Sequence, residues 1–304
     1  MTAEAYPLEK GAPAGSSAYY ALREASAAVR PALTALFAFQ QELAETVATS
    51  GDPGVALTKL GWWHDQTEAL RFDDTPPPAH PVLKALAAHL PDPAAASDSL
   101  LALIAGFRAD LGQTRYLDAA SLDGYIDATG GCFHELIAAT VVRADARGGP
   151  KRASLAGSSD ITVPRTSASA PSLPWARSLG RALARAALIG EVGAHARQGR
   201  IYLPVSTMQE FGVTAAEIVN RQYSSAFTQL MRSETQTARA ALIAARTGLP
   251  GAEARRQRTL RAEVGLALAL LAEIEASDYQ VLHQRIALTP VRKLLCAWRS
   301  ARFR

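Results

Sequence analysis

Two residues four positions apart offer the most specific chemistry in this sequence. Glu191 and His195 lie on the same face if the segment is helical. A carboxylate and an imidazole together suit Zn²⁺ or Mn²⁺, so a metal site is one interpretation of the pair. Two ligands are too few, and Asp110 is the candidate for a third. An ion pair on the helix surface is the alternative interpretation of the same spacing.

The segments that must position these residues are helical. Ala, Leu, Arg and Glu dominate the sequence, and all four are good helix formers. The run Ile201, Tyr202 and Leu203 is too short to form a sheet. We therefore predict an all-α protein with roughly ten helices. Apolar residues recur at helical spacing in three stripes, which are Ala32, Leu33, Leu36, Phe37, Phe39 and Leu43; Leu100, Leu101, Leu103, Ile104 and Phe107; and Leu266, Leu268, Leu270, Leu271 and Ile274.

Proline and glycine separate the helical segments. Breaks are predicted at residues 50–54 (SGDPG), 73–81 (DDTPPPAHP) and 91–93, because proline removes a donor and fixes φ. Residues 147–174 are rich in Gly, Ser, Ala and Pro, and we predict a long mobile loop there. Helical patterns continue in the same character on both sides. The chain is therefore interpreted as one domain over residues 1–304.

Composition excludes several classes of protein. Of the 304 residues, 48% are hydrophobic and 20% charged, which excludes a disordered, collagen-like or disulfide-rich chain. The net charge of +4 permits weak attraction to anionic ligands or lipid head groups but does not indicate nucleic-acid binding. Cys132 and Cys296 are far apart and have no metal-ligand spacing. The first residues are not typical of a secretory signal, and no apolar run is long enough for a membrane span. We expect a cytoplasmic protein, with peripheral membrane contact left open.

Several segments, taken in order, resemble the squalene/phytoene synthase family. The resemblance covers nearly the whole chain, and so many matches in one order are far more specific than any single motif. The matching segments are 15–20 (GSSAYY) followed by Arg30 and 35–39 (ALFAF); 52–54 (DPG) followed by 59–63 (KLGWW); 80–82 (HPV); 110–116 (DLGQTRY) with Tyr125 after it; 199–204 (GRIYLP) with 211–213 (FGV) behind it; and 261–274 continuing to 293–294.

The resemblance implies an all-helical isoprenoid-synthase bundle around a central cavity. Active members of that family join two prenyl diphosphates head-to-head. Carboxylates on two facing helices hold Mg²⁺, which binds diphosphate through oxygen ligands and neutralises the leaving charge. An apolar, aromatic-lined cavity then shelters the allylic carbocation. The family is expected to act as a monomer.

Both metal motifs of that family are degenerate in this sequence. On the first, the positions expected to hold three Asp residues hold Ala44, Glu45 and Ala48. Positions 44 and 48 are one turn apart and would face the same way with only methyl groups. On the second, the expected Asp positions hold Glu191 and His195. The weak metal-ligand candidates that remain are Glu45 and Glu191, so no catalytic residue is assigned.

The resemblance also implies a set of substrate-binding residues. Asp110 and Gln113 are three positions apart and share a helix face, which indicates either a polar cavity wall or buried hydrogen bonding between helices. Arg200 suits phosphate because its guanidinium binds bidentately. The complete set of candidates is Ser16, Tyr19, Arg30, Asp110, Gln113, Tyr125, Arg200 and Tyr202.

The function predicted from these departures is that of a catalytically degenerate family member. Losing the carboxylates of both helices removes the Mg²⁺ site, and losing a single stabilising group costs about 10²–10³ in rate in other enzymes. Such a protein needs no cofactor, and would bind an isoprenoid chain or act as an auxiliary or assembly partner. The family includes a non-catalytic branch, an assembly factor of respiratory complex I. The alternative is an active prenyltransferase in which Glu45, Glu191 and Asp110 hold fewer Mg²⁺ ions.

Overall fold

A computed structural model describes residues 5–72, 76–148 and 172–303. Within these ranges the regular structure is helical, with a 3-10 turn at Ala69–Arg71, a π-helical turn at Asp127–Gly131 and an isolated bridge between Arg115 and Ile201. The prediction of an all-α fold is confirmed. The α-helices are α1 Tyr6–Gly11, α2 Ser17–Leu22, α3 Arg30–Thr49, α4 Pro53–Glu68, α5 Pro81–His89, α6 Pro93–Leu111, α7 Ala119–Ile126, α8 Cys132–Gly148, α9 Pro174–Gly190, α10 Val192–Arg197, α11 Val205–Glu210, α12 Ala215–Val219, α13 Ser225–Thr247, α14 Gly251–Ala254, α15 Arg258–Ala276 and α16 Pro290–Arg302.

Proline and small polar side chains set the starts of α4, α5 and α6. Pro53, Pro81 and Pro93 occupy the beginning of these helices, where a missing N–H costs nothing. The side chains of Asp52 and Asp92 accept hydrogen bonds from backbone N–H groups of the first turns of α4 and α6. Each of the three predicted breaks thus lies directly before a helix.

The three predicted apolar stripes pack into the interior. The six residues predicted in α3 are all buried, as are four of the five in α6 and three of the five in α15. The other members of the α6 and α15 stripes are partly buried and pack against the same cluster. This cluster of buried apolar side chains extends from Ala12 to Leu282 and includes residues of α3, α6, α8, α9, α13 and α15. Burial of these stripes supplies the main driving force for the bundle.

Glycines let α9 lie directly against the π-helical turn that precedes α8. A Cβ atom at Gly180 would lie 2.3 Å from the carbonyl oxygen of Gly130, so only glycine permits this backbone approach. An ion-pair bridge reinforces the same contact. Arg177 of α9 lies 2.7 Å from an oxygen of Asp127 and 2.9 Å from an oxygen of Glu135. The segment 127–131 is therefore held against α9 by both packing and charge.

The last helix packs against α15 and against the start of the chain. Lys293 Nζ donates a hydrogen bond to the carbonyl oxygen of Gly15 at 2.7 Å. Arg302 pairs with Glu24 at 2.6 Å. Beneath these contacts, small apolar residues of α2, α15 and α16 form a second buried cluster. The structure thus joins both ends of the described chain on one face.

The predicted mobile loop and the predicted single domain both remain predictions. α8 extends through Gly148 and α9 begins at Pro174, and residues 149–171 of the predicted mobile loop lie outside the described ranges. The assignment of residues 1–304 to one domain stays a prediction. Among the described helices, none is long and apolar enough to cross a membrane.

Candidate functional site

The helices enclose a cavity of about 540 Å³. Its walls come from α3, α6, α7, the π-helical turn, α8, α9 and α15, and the start of α2, residues 285–288 and Lys293 of α16 also contribute. Apolar side chains such as Phe107, Leu266 and Leu270 supply most of the lining surface, and several polar side chains are set among them. Cavities of roughly 300–1,000 Å³ with this character bury small organic ligands. The cavity is therefore the candidate binding site.

The positions corresponding to the family's metal motifs border this cavity only in part. The cavity is lined by Gln40, Gln41 and Ala44 of α3. It is also lined by apolar residues of α9 and by Glu191, which directly follows that helix. The Glu191 carboxylate lies 2.6 Å from a guanidinium nitrogen of Arg285, which lines the same wall. Glu191 thus has a cationic partner, whose side chain is 75% exposed.

Glu45 and Ala48 do not contribute to the lining. Glu45 points toward α1 and accepts hydrogen bonds from Lys10 Nζ at 2.6 Å and from Gln41 at 3.2 Å. Burial works to raise the pKa of Glu45, but these hydrogen bonds and the Lys10 charge lower it below its ordinary value. Ala48 is exposed, whereas Ala44 is partly buried at the cavity. Positions 44 and 48 lie one turn apart in α3, as predicted, but of the two only Ala44 lines the cavity.

The expectation that Glu191 and His195 face one cavity is wrong, because Glu191 lines the cavity and His195 does not. α9 ends at Gly190, and Glu191 has a non-helical backbone (φ −108°, ψ 11°) before α10 begins. His195 packs against Tyr202, with ring centroids 4.7 Å apart. The predicted surface ion pair is absent as well, since Glu191 pairs with Arg285.

The His195 imidazole is neutral at physiological pH. Burial, with a smaller contribution from the charge of Arg200, lowers the pKa of His195 to about 4. Its Nδ1 is buried and has no hydrogen-bond partner among the described residues. His195 therefore contributes packing against an aromatic ring.

Asp110 is the centre of a buried polar cluster. It accepts hydrogen bonds from the hydroxyls of Tyr116 and Tyr202, and from Arg200 Nη1, each at 2.7 Å. Burial raises the pKa of Asp110, although these two hydroxyls and the Arg200 charge oppose that effect. Tyr125 joins the cluster by stacking on Tyr202 at 5.3 Å. Of the two interpretations of this segment, buried hydrogen bonding between elements is the one the structure favours.

Gln113 lies apart from Asp110. α6 ends at Leu111, so Gln113 is beyond the helix and exposed, and the predicted shared face does not exist. Only its backbone contacts the cluster: the N–H donates to the Asp110 carbonyl oxygen at 3.1 Å, and the carbonyl accepts from Arg200 at 3.4 Å. Among the residues of this group, Tyr125 alone also lines the cavity.

Of the three N-terminal candidates, Ser16 lines the cavity, whereas Tyr19 and Arg30 do not. Ser16 lines the cavity, and its hydroxyl caps α2 by accepting a hydrogen bond from the backbone N–H of Tyr19 at 3.0 Å. Tyr19 is partly buried and lies beneath the guanidinium of Arg23, 5.8 Å from the ring centroid. Arg30 donates hydrogen bonds to three backbone carbonyls, those of residues 22, 23 and 25. Its guanidinium therefore anchors the turn between α2 and α3.

Sequence reasoning missed four charged or titratable residues of the cavity wall. His134 from α8 and Glu263 from α15 lie together, and Arg285 and Lys293 lie near the rim. No spacing rule connects His134 with Glu263, which belong to different helices. Arg285 and Lys293 were detectable only as part of a basic C-terminal stretch.

The residues present do not fit the Mg²⁺ site that the resemblance implies. Mg²⁺ prefers octahedral oxygen ligands, commonly one or two carboxylates together with substrate phosphates. At the motif positions, Glu191 is the only acidic residue that lines the cavity, and Arg285 already pairs with it. No group of three or more His, Cys, Asp or Glu side chains in the described ranges is arranged to hold a metal ion.

A helical bundle around an apolar cavity is the isoprenoid-synthase fold. The structure resembles a dehydrosqualene synthase solved in complex with a ligand, with a TM-score of 0.75 at 17% identity over 98% of this chain and 95% of that one. It also resembles the squalene synthase HpnC from Alicyclobacillus acidocaldarius, with a TM-score of 0.64 at 17% identity over 86% and 88% of the two chains.

Sequence comparison gives the family. The squalene/phytoene synthase model matches residues 12–292, so the chain belongs to the squalene/phytoene synthase family. A phytoene synthase from Arthrospira platensis is 26% identical over 281 residues, which is 88% of this chain and 82% of the relative. A chloroplastic phytoene synthase 2 from Zea mays is 29% identical over 108 residues, covering 36% of this chain and 27% of the relative.

Proposed function

We propose that this protein has lost Mg²⁺-dependent condensation of prenyl diphosphates and keeps its cavity to bind an isoprenoid chain, in an auxiliary or assembly role. The observation that carries the proposal is the wall at positions 44 and 191. Ala44 offers a methyl group, and the Glu191 carboxylate is paired with Arg285. Without a metal at this wall, departure of diphosphate loses its main electrostatic stabilisation.

The arginines expected to bind diphosphate support the same conclusion. Arg200 is 2.7 Å from the buried carboxylate of Asp110, and Arg30 donates to three backbone carbonyls. Releasing Arg200 would leave Asp110 as an unpaired buried charge, which is strongly unfavourable. Neither guanidinium is therefore free to bind phosphate in the bidentate manner that the resemblance implies.

The competing hypothesis is an active head-to-head prenyltransferase with a rebuilt metal site. In its favour, the relative from Arthrospira platensis is a phytoene synthase aligned over most of this chain. It requires Glu45, Glu191 and Asp110 to act together. Glu45 binds Lys10 outside the cavity, and Asp110 is 1% exposed with three hydrogen-bond donors already around it.

Pyrophosphate release separates the two hypotheses. Purified protein is given farnesyl or geranylgeranyl diphosphate with Mg²⁺, Mn²⁺ or EDTA, beside the Arthrospira platensis phytoene synthase as an active control. We expect no metal-dependent release above the protein-free background. Metal-dependent release with a C30 or C40 product, reduced about 10²-fold or more by Glu191→Gln, would establish the rebuilt enzyme instead.

Chain binding is tested separately from turnover. Equilibrium dialysis with farnesyl methyl ether, which carries no charge, measures occupation of the apolar cavity. The variant Ala187→Phe places a ring in the cavity and should reduce binding about tenfold or more, because it fills the space the ligand needs. The matched control Ala252→Phe lies at an exposed position and should bind as the wild type does. Equal binding by both variants would place the ligand elsewhere.

A further inference from the structure

We propose, resting on the cavity-binding function above, that the ligand is a neutral isoprenoid lipid with a hydroxyl head group and that Glu263 and His134 hold this hydroxyl. His134 from α8 and Glu263 from α15 both line the cavity, with Nε2 and Oε1 3.7 Å apart. The side chains are only 8% and 14% exposed. Two ionisable groups buried in an apolar wall need polar partners.

The hydrogen bonding of this pair is incomplete. His134 Nδ1 lies 2.7 Å from the carbonyl oxygen of Gly130, so Nδ1 carries a proton and donates. Nε2 and the Glu263 carboxylate are too far apart for a hydrogen bond of normal length. Glu263 Oε2 is buried and has no partner among the described residues. A buried carboxylate oxygen is a strong acceptor, and leaving it unpaired is costly.

A ligand hydroxyl supplies what this pair lacks. It donates its proton to the Glu263 carboxylate, beside His134 Nε2. The apolar remainder of the cavity suits a hydrocarbon chain. An ether or a hydrocarbon has no proton to donate, so it cannot satisfy Glu263.

Charge argues against a diphosphate at this position. Glu263 would repel an anion, and the cations of the cavity wall are engaged elsewhere. Arg285 pairs with Glu191 at 2.6 Å, and Lys293 donates to the carbonyl oxygen of Gly15 at 2.7 Å. A neutral head group pays no such electrostatic penalty.

The pair is separated from the positions of the degenerate metal motif. A Cβ atom at Gly180 of α9 would lie 2.8 Å from the Cβ of His134, which places the pair beside residue 180. Glu191 follows eleven residues later, about 16 Å along the helix at ~1.5 Å per residue. The hydroxyl subsite and the family's diphosphate end are therefore at different ends of the cavity.

The test compares farnesol with farnesyl methyl ether, which differ in the hydroxyl proton. Isothermal titration calorimetry on the wild type should give about tenfold tighter binding of farnesol, the gain typical of one buried hydrogen bond to a charged group. Glu263→Leu should remove this difference while leaving ether affinity within about threefold. The control Glu273→Leu lies on the same helix, pairs with Arg292 outside the cavity, and should keep the preference.

The outcomes distinguish this inference from the function on which it rests. Equal affinity of the wild type for alcohol and ether overturns the hydroxyl subsite but leaves chain binding intact. Failure of both ligands to bind overturns chain binding as well. Tighter binding of farnesyl diphosphate than of farnesol overturns the neutral-ligand inference. The wild-type comparison needs no substitution, so a variant that fails to fold does not remove the test.

A separate observation concerns the outer face of α16. Val291, Leu295 and Trp298 are 67%, 59% and 45% exposed and lie at helical spacing on one stripe. The opposite face is buried through Ala297 and Ala301, which pack in the second apolar cluster. An exposed stripe of large apolar side chains on a helix marks an interaction surface.

The sequence around this stripe is basic, although Arg285, Arg292 and Arg302 each pair with a carboxylate. Residues 285–304 contain six Arg or Lys and no Asp or Glu, although the whole chain has a net charge of only +4. The remainder of the chain is therefore net negative. Arg299 is exposed beside the stripe, and Arg302 stacks over Trp298 at 5.2 Å. A basic helix with Trp and Leu on its outer face fits an anionic membrane surface.

From this face we infer that α16 docks on membranes containing anionic lipid. Tryptophan and leucine would enter the head-group boundary while the arginines contact phosphate groups. Leu288 and Lys293, which line the cavity rim, lie immediately before and within α16. The docking helix therefore adjoins the cavity rim.

Vesicle sedimentation tests the docking surface. The wild type should pellet with vesicles of phosphatidylcholine and phosphatidylglycerol and remain in the supernatant with phosphatidylcholine alone, and salt should weaken the binding. Leu295→Glu should weaken partitioning about tenfold or more. The control Leu117→Glu, at a 74% exposed leucine outside this face, should partition normally.

Three results would overturn the membrane inference. The first is absence of pelleting with anionic vesicles. The second is equal pelleting of Leu295→Glu and the wild type. The third is a dimer in gel filtration that Leu295→Glu dissociates, without vesicle binding, since the stripe would then join two copies of the chain.

Discussion

Lowering the pH from 7.5 to 5 should destabilise the fold through His195. The ordinary pKa of histidine is 6.5, and burial beside Tyr202 and Arg200 lowers that of His195 to about 4. Between these values the unfolded chain binds a proton that the folded protein does not. Stability is therefore fully present above about pH 6.5, falls as the pH drops through this window, and reaches its minimum below pH 4.

The magnitude follows from the two pKa values. A difference of about 2.5 units corresponds to ~3 kcal/mol at the acid limit, with 1.36 kcal/mol for each unit. At pH 5 the folded form is still mainly neutral while the unfolded form is almost fully protonated, which gives a loss of about 2 kcal/mol relative to pH 7.5. Such a loss is a large fraction of the stability of a typical domain.

Urea unfolding of the wild type and of His195→Phe measures this loss. Phenylalanine keeps an aromatic ring against Tyr202 and removes the buried Nδ1 that has no partner. We expect similar free energies of unfolding for the two proteins at pH 7.5. At pH 5 the variant should be more stable than the wild type by about 2 kcal/mol. Circular dichroism and fluorescence transitions must coincide for the comparison to hold.

Parallel pH dependence of the two proteins would refute this reasoning. It would mean that His195 accepts its proton equally well in the folded and unfolded chains. The carboxylates that also titrate in this range contribute equally to both proteins, so they cancel in the difference.

Three further predictions concern the interior. Asp110→Ala should destabilise the fold by about 3–5 kcal/mol in urea unfolding, because it leaves the Arg200 charge buried without its partner; a loss below 1 kcal/mol would contradict that account. Gly180→Ala should lower the free energy of unfolding by about 1–3 kcal/mol, since its Cβ would lie 2.3 Å from the Gly130 oxygen, and an unchanged melting temperature would show that α9 moves freely. Burial raises the pKa of Cys132 to about 11, so native protein at pH 8 should resist alkylation there while urea-unfolded protein reacts; mass spectrometry of labelled peptides checks this.

Local sequence patterns predicted the helices because capping, proline position and apolar spacing act within a few residues of the chain. Proline at the first helical position and Asp at the cap set the starts of α4 and α6, and these signals are readable in the sequence. Apolar spacing predicted the buried face of α3 for the same reason. Family resemblance then predicted the helical bundle.

Contacts between distant segments determine the side-chain positions that local sequence patterns did not predict. Glu191 lies at the junction of α9 and α10 and lines the cavity, whereas His195 lies within α10 and packs against Tyr202. A Cβ at Gly193 would lie 2.3 Å from the carbonyl oxygen of Val281, so a distant segment fixes the position of α10. The pairing of His134 with Glu263 joins two helices, and no periodicity within one helix could predict it.

The contact between α16 and the start of the chain sets the order in which the protein can be completed during synthesis. Lys293 bonds to Gly15 and Arg302 to Glu24, each across 278 positions of sequence. Earlier helices can collapse as they leave the ribosome, but the apolar cluster beneath α2 stays uncovered until α16 emerges. A chain interrupted before Pro290 would present that cluster to solvent and to chaperones. Covering this cluster is therefore a late step of folding that requires residues 290–302.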